Sequence, residues 1–165
     1  MDFEMNAPFQ PLYTNDVSPE YLRSLDNPHF TEQQIAQFHE RAQLVVRQQQ
    51  AYIDAHPAIA IFRCATEGSH TRNGGVIQQG TGPLEFKLEN GRSVRVARKG
   101  DYVLYADGST AQIITGAGQD NNDVALVGSM LSNGDEIINT PQGGYVFIAR
   151  EGESMGEDFL PSVAD

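Results

Sequence analysis

Between Gly68 and Ile138 the chain restates one short pattern three times, and no other feature of it constrains the fold as strongly. The first copy is Gly68-Ser69-His70-Thr71-Arg72-Asn73-Gly74-Gly75-Val76-Ile77. The second is Gly100-Asp101-Tyr102-Val103, then Asp107-Gly108, then Ile113-Ile114-Thr115. The third is Gly128-Ser129-Met130-Leu131, then Asn133-Gly134-Asp135-Glu136-Ile137-Ile138. Each reads as glycine, a small polar or acidic residue, an Asn/Asp-Gly turn and a β-branched pair. The starts lie 32 and 28 residues apart. A hairpin this short cannot bury its own apolar face, but three of them closed around one axis can share a core. The pattern predicts a compact body with pseudo-three-fold symmetry, shaped to cap a true homotrimer. Asn-Gly turns followed by Val or Ile also recur in any all-β protein, and coincidence is the competing account.

The flanks have a different texture. Residues 1–17 mix Pro, Asn, Asp and isolated aromatics without periodicity and read as an irregular arm. Residues 18–57 read as a helical extension. Ser18-Pro19-Glu20 is a helix start, with a capping hydroxyl, Pro at the first helical position and an acid in the first turn. Thr31 with Gln34 forms a capping box, and Phe30 with Ile35 suits a hydrophobic staple. Ile35, Phe38, Ala42, Val45 and Tyr52 then recur at helical spacing, which predicts one helix over 31–55, stopped by His56-Pro57. Its narrow apolar stripe wants a partner surface. Residues 58–150 read as the β domain, with hairpin turns at Asn90-Gly91, Asp107-Gly108 and Asn133-Gly134. Residues 151–165 form an acidic, loosely held tail. The fold class expected is mainly β, with an α-helical N-terminal extension.

Charge narrows the partners. A formal net charge of −11 disfavours nucleic acid and anionic membrane surfaces. No apolar run approaches the roughly 20 residues that span a bilayer. Met1-Asp2-Phe3-Glu4 lacks the basic start of a secretory signal, so the expectation is synthesis in the cytoplasm and export by a route without a cleaved signal. The single cysteine, Cys64, cannot form an internal disulfide and fits a reducing compartment.

Val96-Ala97-Arg98-Lys99-Gly100-Asp101 resembles the Pro-Ala-Ala-Arg-x-Gly-Asp signature of PAAR domains. Gly68-Ser69 to Gly74-Gly75-Val76-Ile77 resembles that family's first hairpin. Val124 to Gly128, with Asn133-Gly134 to Ile137-Ile138, resembles its closing hairpin. The resemblance spans about residues 60–150. It implies a small conical domain of three hairpin-like repeats, seated on the blunt end of the trimeric spike (VgrG) of a type VI secretion system. It also implies export at the needle tip and no catalysis. No toxin follows the repeats here, so cargo would bind non-covalently, with helix 31–55 as its dock. Two departures stand out. The signature's Pro is missing, and the positions matching family zinc ligands are Asn73, Asp107 and Asn133. Asn is a poor zinc ligand. No cofactor is therefore expected, and a hydrogen-bonded Asn/Asp cluster is expected to hold the apex in place of zinc.

Rival chemistry is thin. His70 and Cys64 are the soft ligands of the β region, and two ligands do not make a structural zinc site. Gly152-Glu153-Ser154-Met155-Gly156 matches the hydrolase elbow, which needs a strand before it, a helix after it and a downstream His; no His follows His70. Glu67, Asp101, Asp107, Asp135 and Glu136 could supply paired carboxylates for glycan cleavage, although no spacing fixes a pair. Lys87, Arg92, Arg95, Arg98 and Lys99 form one basic stretch, which reads as a charged hairpin edge or a contact for an acidic partner. A carboxylate-based hydrolase and a free-standing β adaptor module are the alternatives to a spike cap.

Overall fold

The computed structural model describes residues 11–163. Helices α1 (Pro19–Ser24), α2 (Glu32–Ala36) and α3 (Glu40–Ala55) come first. Strands β1 (Ala58–Arg63), β2 (Val76–Ile77), β3 (Glu85–Lys87), β4 (Ser93–Arg95), β5 (Tyr102–Leu104), β6 (Thr110–Gln112) and β7 (Val146–Arg150) follow. The result is a mixed α/β structure with more strand and bridge than helix. Its sheets are small: β1-β7, β2-β5-β6 and β3-β4, and the strands of the last two pair antiparallel. No closed barrel occurs among the described residues. The chain divides into a repeat unit (62–147, with 11–15 and 155–163) and a helical unit (16–61, with 148–154).

In the repeat unit the three copies make the same hydrogen bonds. Gly68, Gly100 and Gly128 donate their amides to the carbonyls of Ile77, Ile113 and Ile137, at 2.9, 2.8 and 2.8 Å. Those isoleucines donate back to Ser69, Asp101 and Ser129. The small polar or acidic residue after each glycine has a local purpose. Ser69 Oγ, Asp101 Oδ2 and Ser129 Oγ accept the amides of Thr66, Arg98 and Leu126, three residues earlier. Between copies the bonds run in a closed cycle: Ala97 N–H to the Ala65 carbonyl (2.9 Å), Ala125 to Ala97 (2.8 Å) and Ala65 to Ala125 (2.8 Å). A second cycle joins Glu67 to Arg95, Lys99 to Asp123 and Val127 to Arg63. The three alanines are fully buried, and Ile77, Ile113 and Ile137 pack with them, together with Val103, Ala111 and Leu131.

Every repeat turn closes alike. Gly74, Gly108 and Gly134 donate to Thr71, Tyr105 and Leu131. Only the glycine takes positive φ (86° at Gly134), while the Asn or Asp before it does not. These are therefore three-residue loops ending in a left-handed glycine, not two-residue turns with both central residues left-handed. The Asn90-Gly91 turn likewise joins β3 to β4, with Gly91 at φ 85°.

Both flanks of this unit are better held than the sequence texture suggests. Tyr13 pairs with Thr140 through both backbone bonds, at 2.8 and 3.0 Å. Residues 1–10 of the expected arm lie outside the described residues. The acidic tail is not loose at 159–160: Phe159 is buried, with its ring 5.0 Å from Phe62 and 5.9 Å from Phe147. The aromatic anchor outweighs the surrounding charge, because burying a phenyl stabilises by about 1.5–3 kcal/mol. Asp165 lies outside the described residues.

In the helical unit the sequence's caps are present. Ser18 Oγ accepts Tyr21 N–H, and Thr31 and Gln34 form the reciprocal capping box at 3.1 and 2.8 Å. The single helix expected over 31–55 is instead two, broken at Gln37-Phe38-His39. Imidazole Nδ1 of His39 accepts Arg41 N–H and starts α3, while Gln43 Nε2 donates to the Phe38 carbonyl, so the break satisfies its own backbone. Asp26 and Arg150 pair at 2.7 Å, and Asp26 also accepts the Ala58 amide.

Candidate functional site

The three repeat turns meet on one carboxylate. Asp135, almost wholly buried, accepts the Tyr105 hydroxyl at 2.6 Å, the Glu136 amide at 2.8 Å and the Asn73 amide at 3.2 Å. The Thr71 side chain also favours its ionised form. Asn133 completes the cluster. Its Nδ2 donates to Tyr105 Oη at 3.0 Å, and its Oδ1 accepts the Asp135 amide at 3.0 Å. A carboxylate from copy three, a phenol from copy two and an amide from copy one therefore tie the turns together. Burial alone would raise the pKa of Asp135, but the bonds from Thr71, Tyr105, Glu136 and Asn73 outweigh it and hold the carboxyl below its ordinary value. Burial first, and Asp135 second, push the Tyr105 phenol up.

Of the three positions expected to form this cluster, Asn133 joins it by its side chain and Asn73 only by its backbone amide. Asp107 turns back on its own loop, accepting the Ser109 amide at 2.9 Å and hydroxyl at 2.6 Å, which lowers its pKa. Tyr105 and Asp135 are the members that repeat-pattern reasoning passes over. The signal for Asp135 is its place in the turn: Gly75, Ser109 and Asp135 are equivalent closing residues, each offering its carbonyl to Thr71, Tyr105 or Leu131. Gly75 leaves room for the Tyr105 ring, which lies 3.0 Å from where a side chain would begin.

The residues do not fit zinc. The Asp135 oxygens are occupied, and Asn73 and Asn133 offer amides. Cys64 is fully buried, and burial pushes its thiol up to about 12, away from the thiolate a metal needs. His70 Nδ1 lies 3.2 Å from Asn139 Oδ1. Among the described residues no group of three or more His, Cys, Asp or Glu could hold a metal ion.

The signature-like run serves the ring. Val96 and Ala97 are buried, and Arg98 Nε donates to Thr81 Oγ1 at 2.9 Å. Asp101 accepts both Thr81 groups, at 2.9 and 2.7 Å. The other acidic candidates are also committed: Glu67 to the amides of Gly80 and Arg95, and Glu136 to Arg72. Of the basic stretch, Arg95 pairs with Glu85 at 2.9 Å. Ser154 follows β7, yet no helix follows it among the described residues.

In the helical unit α3 buries no residue at all; Leu44, Val45 and Tyr52 are 57%, 45% and 48% exposed. A groove of about 840 Å³ runs between α2 and α3, lined by Phe30, Ile35, Val45, Ala51 and Tyr52. An exposed Glu32–Arg47 pair at 3.1 Å sits on its lining. No helix among the described residues is long and apolar enough to cross a membrane. No protein-family model matches this chain, nor does any curated protein or solved structure.

Proposed function

We propose that this protein is a PAAR-like tip that caps the trimeric spike (VgrG) of a contractile injection system, one copy per trimer. Its repeat unit is then a conical, pseudo-three-fold domain of three hairpin-like repeats. The observation that carries this reading is the closed cycle from Ala65 to Ala125 to Ala97 and back to Ala65. A cycle of equivalent bonds gives one chain three equivalent faces, and a homotrimer's end offers three equivalent faces in return. Matching them would bury apolar surface, with backbone bonds fixing register. In this reading the chain is not an enzyme, and it leaves the cytoplasm on the needle tip. The stripe on α3 and its groove supply a dock for cargo bound non-covalently.

Native mass spectrometry of the chain mixed with the trimeric spike protein of the same organism tests the cap. The expected species is one chain per three spike chains. A spike trimer that stays intact while this chain flies alone sinks the reading and returns the adaptor and hydrolase alternatives.

A further inference from the structure

The ring has three junctions, one between each pair of copies, and the same two backbone positions recur at each. One is the amide just before the inner strand of the next copy: Arg95, Asp123 or Arg63. Another is the backbone three residues past the repeat isoleucine: Gly80, Gly116 or Thr140. At the junction of copies one and two, both are handled by a side chain of the repeat itself. Glu67 accepts the Arg95 amide at 3.1 Å with one oxygen and the Gly80 amide at 3.0 Å with the other.

The other copies cannot repeat this. Glu67 is replaced by Lys99 in copy two and Val127 in copy three, one a donor only and the other apolar. At the junction of copies two and three the C-terminal segment steps in. Leu160 donates to the Gly116 carbonyl at 2.8 Å. Asp158 accepts the Gln119 amide at 2.8 Å, fixing the loop whose Gly118 carbonyl takes the Asp123 amide at 2.9 Å. At the junction of copies three and one the N-terminal segment does so. Asn15 Oδ1 accepts the Arg63 amide at 2.9 Å, Asn15 Nδ2 donates to the Val127 carbonyl at 2.8 Å, and Tyr13 pairs with Thr140. The segment is seated on more than backbone. The Arg63 guanidinium lies 5.3 Å from the Tyr13 ring centroid, and Arg63 Nε donates to the Thr14 carbonyl at 2.5 Å. The ring lies where a side chain on Gly143 would begin, 2.8 Å away.

We infer that the two terminal segments are edge guards, closing or bracing in cis the junction edges where copies two and three lack the carboxylate that Glu67 supplies in copy one. An unguarded strand edge is a template for another chain. Guarding keeps the ring from pairing with further copies of itself. It also means that any partner adding strands at the end away from the turns must displace Tyr13–Asn15 or Asp158–Leu160 first. The equivalence of the junctions rests on the three-fold reading above. The test uses no spike protein, so its failure and a failure of capping are told apart.

The test is made on the full chain. Asn15→Ala with Tyr13→Pro opens one guard, and Leu160→Pro opens the other. Amide exchange and light scattering at ~100 µM, a concentration within the range where exposed edges associate, are read together. Expected is at least a tenfold faster exchange at Arg63 and Thr140 in the first variant, unchanged exchange at Ala97, and a mass above that of one chain. A variant that exchanges faster at those amides but stays a monomer overturns the inference, and so does one whose exchange does not change. Should the double variant fail to fold, Asn15→Ala alone carries the readouts at Arg63 and of mass. A rescue sharpens it: Val127→Glu, added to the opened chain, places a carboxylate where Glu67 stands in copy one and should restore slow exchange and the monomer. Lack of rescue overturns the equivalence of the junctions.

Discussion

Ile137 and Leu44 are both large aliphatic residues, yet Ile137 is wholly buried and Leu44 is 57% exposed. The contrast runs through the two units that hold them. In the repeat unit, bonds between residues far apart in sequence close on themselves, so removing any one copy removes partners from the other two. In the helical unit the caps and the short break are local, and the long-range ties, such as Asp26 to Arg150 and His56 to Glu151, form no closed cycle. The repeat unit is built to stay whole, and the helical unit presents a surface. Buried apolar area sets the order of stability within a chain, and regions with few buried contacts open first.

The largest effect expected is on that contrast itself. Ile137→Ala should cost about 2–5 kcal/mol, because the ring cannot collapse around the lost atoms. Leu44→Ala should stay within about 0.5 kcal/mol. Denaturant melts followed by amide exchange at Ile113 and in α3 would show this, since one global stability need not describe two units. Equal costs for the two substitutions would mean that α3 is covered by something.

A smaller effect belongs to the turn network. Asp135→Ala leaves the Tyr105 hydroxyl and the Asn73 amide without their acceptor, and should cost about 1–3 kcal/mol; Tyr105→Phe should cost less. The pH dependence has a defined sign. The carboxyl of Asp135 is held below its ordinary value in the fold, so its contribution is present above the unfolded value, about 4. It is lost as pH falls through the lower, folded value. Asp135→Asn should therefore flatten the acid limb of the stability curve below about pH 4. A chelator should leave the melting point unchanged, because no donor set among the described residues fits zinc. A melting point that drops with chelator would mean that the fold holds a metal.

How much of this was legible in the sequence follows from where each signal lives. The glycine, the small polar residue and the Asn/Asp-Gly turn are local requirements of one hairpin, so they repeat visibly. The closed cycle among Ala65, Ala97 and Ala125 depends on three residues whose only mark is being small. Tyr105 hides because the second copy is longer, which moves its turn off the simple alignment. Asp135 hides because its equivalents are Gly75 and Ser109, so the position carries no conserved chemistry within the chain. Tyr13 and Asn15 sit in an aperiodic stretch, and nothing local says that Arg63 and Thr140 await them. The helix break at Phe38 was masked by periodicity: Phe38 keeps the spacing of one helix, while the imidazole cap at His39 is an uncommon start signal. The capping box at Thr31, a purely local device, is legible in the sequence and present in the fold.

The same box gives the smallest and most local prediction. With five residues, α2 is far too short to persist on propensity alone. Its first turn rests on Thr31 Oγ1 accepting Gln34 N–H and on Gln34 Oε1 accepting Thr31 N–H. Thr31→Ala removes one half of that exchange and should cost about 1 kcal/mol. Thr31→Ser should cost a fraction of that, since the hydroxyl is kept. Faster exchange should appear at Gln34 and Ile35, and the groove wall that Ile35 supplies should loosen with it. Ala97 and Ile113, held by the ring, should exchange as before. If they speed up as well, the loss is not local, and the two units do not differ in the way that Ile137 and Leu44 suggest.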